Sequence, residues 1–259
     1  MPAPAAPAQA HPAVVAAAVL LVVLVCGTGA FGLLSEVVTR TVERTDTFTP
    51  TAGRVTIDAD GDVSLEPSPD GQVHVRTVVR TGLDEPRVVH ESRASGIRLS
   101  ATCREFLAVR CDARHELLVP SAIDVVVDGG WGDVVASGLR GPLSVQRDTG
   151  DITVVDHIGP LDLRSRLGEI TGDDLRADVL RVESQADDVR VELLNAPRSA
   201  DVTSDFGEVD VAVPADTAYR IDAASDVGEE RVLVPTDPAS PHTLRAVSDT
   251  GDVTVRSTR

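Results

Sequence analysis

From Arg54 onward the chain alternates apolar and polar residues in short bursts, among them Val55-Thr56-Ile57, Val63-Ser64-Leu65, Val73-His74-Val75, Ile97-Arg98-Leu99 and Val125-Val126-Val127. A period of two places successive side chains on opposite faces, so each burst predicts a β-strand with one buried face. Between residues 129 and 259 the bursts become regular. Gly150-Asp151-Ile152-Thr153-Val154, Gly207-Glu208-Val209-Asp210-Val211 and Gly251-Asp252-Val253-Thr254-Val255 restate one phrase, a glycine, an acid and then alternating apolar residues. The turn glycine or its substitute stands at 132, 150, 168, 187, 207, 228 and 251, at spacings of 18, 18, 19, 20, 21 and 23 residues. Five to seven residues ahead of each marker from Gly150 on lies a second apolar pair, such as Leu143 with Val145, Leu161 with Leu163 and Ile221 with Ala223. Each unit thus holds two short strands around a tight turn, and no such unit can close its own core. The expected fold is all-β: a parallel β-helix-like solenoid with about two short strands per turn, irregular over 53–128 and regular over 129–259. An antiparallel sandwich would use similar strands and turns, but near-constant spacing favours stacked coils.

A tight corner needs a residue at positive φ, which glycine adopts without steric cost, and an Asp ahead of it can accept a backbone hydrogen bond two residues on. Asp148-Thr149-Gly150 and Asp249-Thr250-Gly251 meet both needs. Two positions break the pattern: Asp187 stands in a glycine place, and Glu230 stands where a strand should bury an apolar residue. Both predict disturbed turns. The acid after each marker raises a different question, because Asp133, Asp151, Glu169, Asp188, Glu208, Glu229 and Asp252 would form a column. Unit charges ~4.8 Å apart repel by about 1 kcal/mol even in water. Interleaved Arg147, Arg164, Arg166 and Arg190 would offset this, or calcium could bridge the seven acids. The nonapeptide glycine pattern of calcium-binding β-rolls is missing, so a solvated acidic face is the favoured reading, with no cofactor.

Residues 1–12 form a short tail, and Ala13 to Leu34 is an uncharged, mostly apolar run of 22 residues. As a helix it would reach about 33 Å, enough to span a bilayer, and it is expected to be a transmembrane anchor. Met1 to Pro12 lacks the basic start of a cleavable signal, although Thr28-Gly29-Ala30 resembles a cleavage site. The Thr-rich stretch 35–52 reads as a juxtamembrane linker. Arg40 and Arg44 would favour a cytoplasmic side, but long C-terminal domains cross largely regardless of such charges. Cys103 and Cys111 can close a small loop in an oxidising compartment, and a disulfide there would stabilise by about 2 to 3 kcal/mol; two buried thiols are the alternative. Together these features predict a single-pass protein of the cell membrane with its C-terminal domain extracytoplasmic.

Composition narrows the function. Of 259 residues only 2% are aromatic, so the core must be built from small branched side chains. The net charge is −17, which repels phosphate backbones and excludes nucleic acid as a partner. No nucleophile elbow, Walker loop or His-Glu-x-x-His is present, and Gly27-Thr28-Gly29-Ala30-Phe31-Gly32 matches a dinucleotide fingerprint only inside the apolar span. His11, His74, His90, His115, His157 and His242 are scattered without ligand spacing and are expected at surfaces or strand edges. Trp131 could stack on a sugar, but shielding the end of the core is the favoured role.

The order Leu117-Leu118-Val119-Pro120, Ile123-Asp124-Val125, Gly132-Asp133-Val134, Gly141-Pro142-Leu143, Gly150-Asp151-Ile152 and Val211-Ala212-Val213-Pro214 resembles the bacterial putative adhesins of domain of unknown function 4097, the β-strand repeat proteins. The resemblance covers roughly 53–259. It implies a parallel β-helix-like fold behind a membrane segment or signal, with no established catalytic residues. The expected function is a non-enzymatic interaction or adhesin-like module at the cell surface, contacting a surface protein or glycan. The ectodomain of an envelope-sensing system is the alternative, and a carbohydrate-active β-helix enzyme a lesser one.

Overall fold

The computed structural model describes residues 40–50, 53–81, 86–93, 96–102 and 111–258. The expected anchor at 13–34 and Cys103, with its bridge to Cys111, lie outside these residues. All regular structure among the described residues is β, and none of their helices is long and apolar enough to cross a membrane.

Each coil is a strand pair. β2 (Arg54–Ala59) leads into β3 (Asp62–Pro67), and β6 (Gly96–Thr102) precedes β7 (Cys111–Val119). The regular part runs β8 (Asp124–Trp131), β9 (Val134–Ser137), β10 (Leu143–Thr149), β11 (Ile152–Val155), β12 (Leu161–Leu167) and β13 (Ile170–Leu175). It continues through β14 (Val179–Ala186), β15 (Val189–Leu193), β16 (Ser199–Phe206) and β17 (Val209–Val213). β18 (Arg220–Val227), β19 (Glu230–Val232), β20 (Thr243–Thr250) and β21 (Val253–Ser257) complete it. The first strand of each coil joins one parallel sheet and the second strand joins the other. Register is kept unit by unit, Leu143 opposite Leu161, Leu161 opposite Leu180 and Leu180 opposite Ala200. Alternation therefore carries every inward residue into one continuous core, from Val55 and Ile57 through Val145, Leu163 and Val182 to Ala246 and Val255. The predicted apolar pairs supply it.

Chain order and spatial order part company at both ends. β20 and β21 insert beneath β18 and β19, so that β20 pairs with both β16 and β18, and β21 with both β17 and β19. Gly207 is followed in space by Gly251, with Gly228 outermost, where the even spacing predicted 207, 228, 251. Burial explains the exchange. The inserted coil brings Leu244, Ala246, Val253 and Val255, all buried, whereas the displaced one carries Glu230 in register with Val253. Only a terminal coil has an open side, and there the Glu230 carboxylate accepts the Ser225 N–H at 3.0 Å instead of entering a dry core.

At the other end β2 lies between β8 and β6, and β3 between β9 and β7. Antiparallel strands then close the stack: β4 (Val73–Thr81) on β7, β1 (Arg40–Phe48) on β4, and β5 (Arg87–Arg93) on β6. One expectation is corrected here: Arg40–Phe48, read as part of the linker, is a nine-residue strand. β1 has almost no apolar alternation because it covers an edge and buries little, so periodicity could not reveal it.

Candidate functional site

The corner between the two strands of each coil carries three parallel columns. The first is the marker column. Gly132, Gly150, Gly168, Gly207 and Gly251 lie at φ of 103°, 132°, 143°, 149° and 145°, and Asp187 joins them at 97°. Positive φ is only half the reason for glycine. A Cβ on Gly150 would lie 2.3 Å from the Gly132 carbonyl oxygen, and one on Gly168 would lie 2.1 Å from that of Gly150. The coils touch backbone to backbone here. The N–H of each marker donates to the next coil at 2.7 to 3.0 Å, except Gly168, whose bond to the Ala186 carbonyl beside Asp187 stretches to 3.5 Å.

The acid after each marker has a structural task. The N–H of Asp151 donates to Asp133 Oδ1 at 3.0 Å, that of Glu169 to Asp151 Oδ1 at 2.9 Å, that of Glu208 to Asp188 Oδ1 at 2.8 Å and that of Glu229 to Asp252 Oδ1 at 2.9 Å. A carboxylate accepting a backbone N–H gains a charge-assisted bond that offsets repulsion along the column. Among the described residues the steps above Glu169 and Glu208 lack it, and Glu169 accepts instead from Thr171 Oγ1 at 3.2 Å. No group of three or more His, Cys, Asp or Glu among the described residues is placed to hold a metal ion. Of the four arginines expected to interleave, Arg166 pairs with Asp148 at 3.4 Å and Arg190 reaches Glu169 at 4.0 Å. Arg164 pairs on the sheet face with Asp162, and Arg147 is buried.

Inside the same corner runs a serine ladder that the pattern did not announce. Ser165, Ser204, Ser225 and Ser248, each three residues before a marker, donate to the marker carbonyl of the adjacent coil at 2.8 to 3.3 Å. Ser184 donates to Asp187's own carbonyl at 3.2 Å. Arg147 occupies the equivalent place, 1% exposed, and fits because Gly129 beside it has no side chain. Its Nη1 donates to the Ala59 carbonyl at 2.6 Å, while Nε and Nη2 have no partner among the described residues, and burial lowers its pKa.

The outermost column, one residue before each marker, reads Trp131, Thr149, Leu167, Ala186, Phe206, Thr250 and Val227, each in register with the next. Large apolar side chains alternate with small ones. Trp131, Leu167, Phe206 and Val227 are 46%, 50%, 62% and 66% exposed. Trp131 therefore belongs to an outer ridge and does not shield the core end. The signal was in the sequence, in the residue preceding each marker, but which way it points depends on the corner.

The remaining candidates lie at the irregular end. A concavity of about 880 Å³ on the outer face of β3, β4, β7 and β9 is lined by Asp62, Glu66, His74, Arg76, Arg114 and Glu116, among others. Its arginines are paired: Arg114 lies 3.7 Å from Asp62, and Arg76 lies 2.7 Å from Glu43 and 2.9 Å from Glu116, which holds Glu43 below the usual carboxylate range. Beneath it, Asp46 Oδ2 meets His90 Nδ1 at 2.8 Å, His90 Nε2 meets Thr77 Oγ1 at 2.7 Å, and Thr77 Oγ1 meets His115 Nδ1 at 2.8 Å. The order carboxylate, imidazole, hydroxyl is that of an activated nucleophile. Thr77 is nevertheless fully buried, and its oxygen is shared by a second imidazole. The Asp60 carbonyl accepts from His115 Nε2 at 3.0 Å, completing a polar plug whose outer end, Asp46, is partly exposed. His90, His115 and His157 are buried, contrary to the expectation of surface positions, and burial lowers all three pKa values.

No protein-family model matches the chain, and comparison with curated proteins found no match. Several solved structures are similar. One from Bacteroides fragilis NCTC 9343, named a putative adhesin, is 13% identical over 85% of this chain and 97% of its own, with a TM-score of 0.48. A putative cell adhesion protein from Clostridium sporogenes ATCC 15579 is 10% identical over 85% of this chain and all of its own, at 0.37. A putative lipid binding protein from Parabacteroides distasonis ATCC 8503 is 10% identical over 85% of this chain and 97% of its own, at 0.39. Likeness at this level carries no functional inference, so the chain's own side chains must.

Proposed function

We propose that this chain is a non-enzymatic, adhesin-like interaction module, held in the cell membrane by residues 13–34 with its C-terminal solenoid outside the cytoplasm. The exposed apolar ridge of Trp131, Leu167, Phe206 and Val227 carries this reading. Exposed apolar side chains rimmed by polar residues mark a contact site, and here they repeat along corners whose backbone groups bond from coil to coil. Such a scaffold presents its surface without reorganising. The acid column supports the same reading, since most of its carboxylates accept backbone bonds; of the two hydroxyl–imidazole–carboxylate series among the described residues, that of Thr77, His90 and Asp46 has its hydroxyl fully buried, while that of Thr47, His74 and Asp70 is exposed at the irregular end. A surface protein or glycan is the partner class.

Protease treatment of intact cells producing the full-length chain, combined with attachment of those cells to isolated envelope material, tests the reading. Degradation of the solenoid and loss of attachment in a Leu167→Ser, Phe206→Ser variant are expected. A protease-protected solenoid, or attachment equal to that of the parent, would refute it. Under this placement Cys103 and Cys111 are disulfide-bonded; two thiols alkylated without reductant in material recovered from the cell surface would contradict that.

A further inference from the structure

The ridge has a period, and a period restricts what can lie along it. Parallel neighbours are about 4.8 Å apart, so large residues on alternate coils repeat at about 9.6 Å, with notches at Thr149, Ala186 and Thr250 between them. Same-face side chains of an α-helix recur every ~5.4 Å and those of a strand every ~6.7 Å, and both drift out of step within two notches. A polyproline II helix has three residues per turn at about 3.1 Å each, so one face recurs every ~9.3 Å and follows the notches closely.

Two further observations agree. β12, β14 and β16 each have a neighbour on both sides, so no strand edge is open for an added strand, whereas a polyproline II chain requires no backbone ladder. Charge selects the partner's sign. Asp151, Asp188 and Glu208 flank the ridge on one side and Asp148, Asp205 and Asp249 on the other, with Arg166 the cation paired to Asp148. Asp151 and Asp188 spend Oδ1 on the ladder, and no hydrogen bond among the described residues uses their Oδ2. A second copy of the chain would bring acidic flanks against acidic flanks at a net charge of −17 each.

We infer that the ridge docks an extended, proline-rich, basic peptide segment in the polyproline II conformation, with every third residue seated in a notch and its cations against the flanking carboxylates. This rests on the reading of the ridge as a contact surface and names the partner's chemistry.

The test uses the full-length protein in detergent and three synthetic dodecapeptides: repeats of Pro-Pro-Arg, of Gly-Gly-Arg and of Pro-Pro-Glu. Pro-Pro-Arg should bind about tenfold or more tightly than Gly-Gly-Arg, which has the same charge without the preformed helix, and Pro-Pro-Glu should not bind. The Leu167→Ser, Phe206→Ser variant, whose changes lie on the exposed column, should weaken Pro-Pro-Arg binding about tenfold while melting like the parent. Equal binding of the two cationic peptides, binding unchanged in the variant, or no binding of Pro-Pro-Arg would overturn the inference. Sedimentation of the protein alone as a dimer that the variant abolishes would assign the ridge to a second copy instead. If cell attachment depends on the ridge while Pro-Pro-Arg fails to bind, the interaction module stands and the polyproline occupant falls; if attachment is independent of the ridge, the module reading falls first.

Discussion

Asp187 offers the sharpest test of the marker column, because the physics predicts that a glycine placed in the middle of a β-structure will stabilise it. Its φ of 97° is strained for a residue bearing a Cβ, and the adjacent rung is the only stretched one in the series, 3.5 Å against 2.7 to 3.0 Å elsewhere. Strain of this kind is worth about 1 to 3 kcal/mol, and a restored neutral hydrogen bond adds about 0.5 to 1.5 kcal/mol. The greater freedom of glycine in the unfolded chain takes back about 0.5 to 1 kcal/mol. Asp187→Gly should therefore stabilise by about 0.5 to 4 kcal/mol, with a central value of about 2 kcal/mol that for a domain of this size raises Tm by roughly 4 to 8 °C. The carboxylate lost is exposed and makes no hydrogen bond among the described residues. Gly168→Ala is the opposite control: φ is 143° and the new Cβ would lie 2.1 Å from the Gly150 oxygen, so a loss of about 3 kcal/mol or more is expected. Paired thermal and urea denaturation of the full-length chain decides the matter. A Tm for Asp187→Gly at or below the parent's would refute the account of the column.

Other substitutions probe the remaining columns. Ser248→Ala removes a 2.8 Å bond to the Gly207 carbonyl and should cost about 1 kcal/mol in urea unfolding; no loss would deny the serine ladder a role. Glu208→Asp places at this step the residue type that accepts the neighbouring N–H at Asp133, Asp151, Asp188 and Asp252 and should gain up to about 1 kcal/mol, whereas a loss would show that length is not the obstacle. Arg147→Met keeps the volume and removes a buried charge with two unpartnered nitrogens, so stability should be unchanged or higher, by roughly 1 to 3 kcal/mol; a clear loss would mean the guanidinium contributes net stability. Burial lowers the folded-state pKa of His90, His115 and His157 below the ordinary 6.5, so the unfolded chain takes up protons first. Stability is then complete above pH 6.5 and declines as pH falls through that value, ahead of the carboxylate losses; His157→Leu should flatten the decline, and a pH-independent unfolding free energy between 7.5 and 5 would contradict the assignment.

Much of this molecule was written locally. Alternation at Leu161 and Leu163, or at Val209 and Val211, specifies a strand and its buried face without reference to anything distant, and these pairs are in the core, whereas Ile221 and Ala223 on the terminal coil are only partly buried. Glycine at the markers follows from a local corner, and Asp187 could be picked out as the irregular rung because its neighbours define what the place requires. The acid column was visible too, but its purpose was not: that Asp133 holds the Asp151 N–H depends on a contact across 18 residues that exists only once two coils are stacked.

Tertiary structure decided the rest. Whether β18–β19 or β20–β21 ends the solenoid depends on comparing two coils for a single open position, and Glu230 settles it by requiring the side that no further coil covers. Arg147 reads as a surface cation in sequence, yet the space left by Gly129 on the preceding coil draws it inward. Trp131, Leu167 and Phe206 form a ridge because the backbone at the corner turns their faces to solvent. Sequence determined which residues alternate and where the chain bends, since those are properties of neighbouring dihedrals; the order of the coils and the faces left uncovered required the whole stack, since burial is a property of what lies across from a residue and not of what lies beside it.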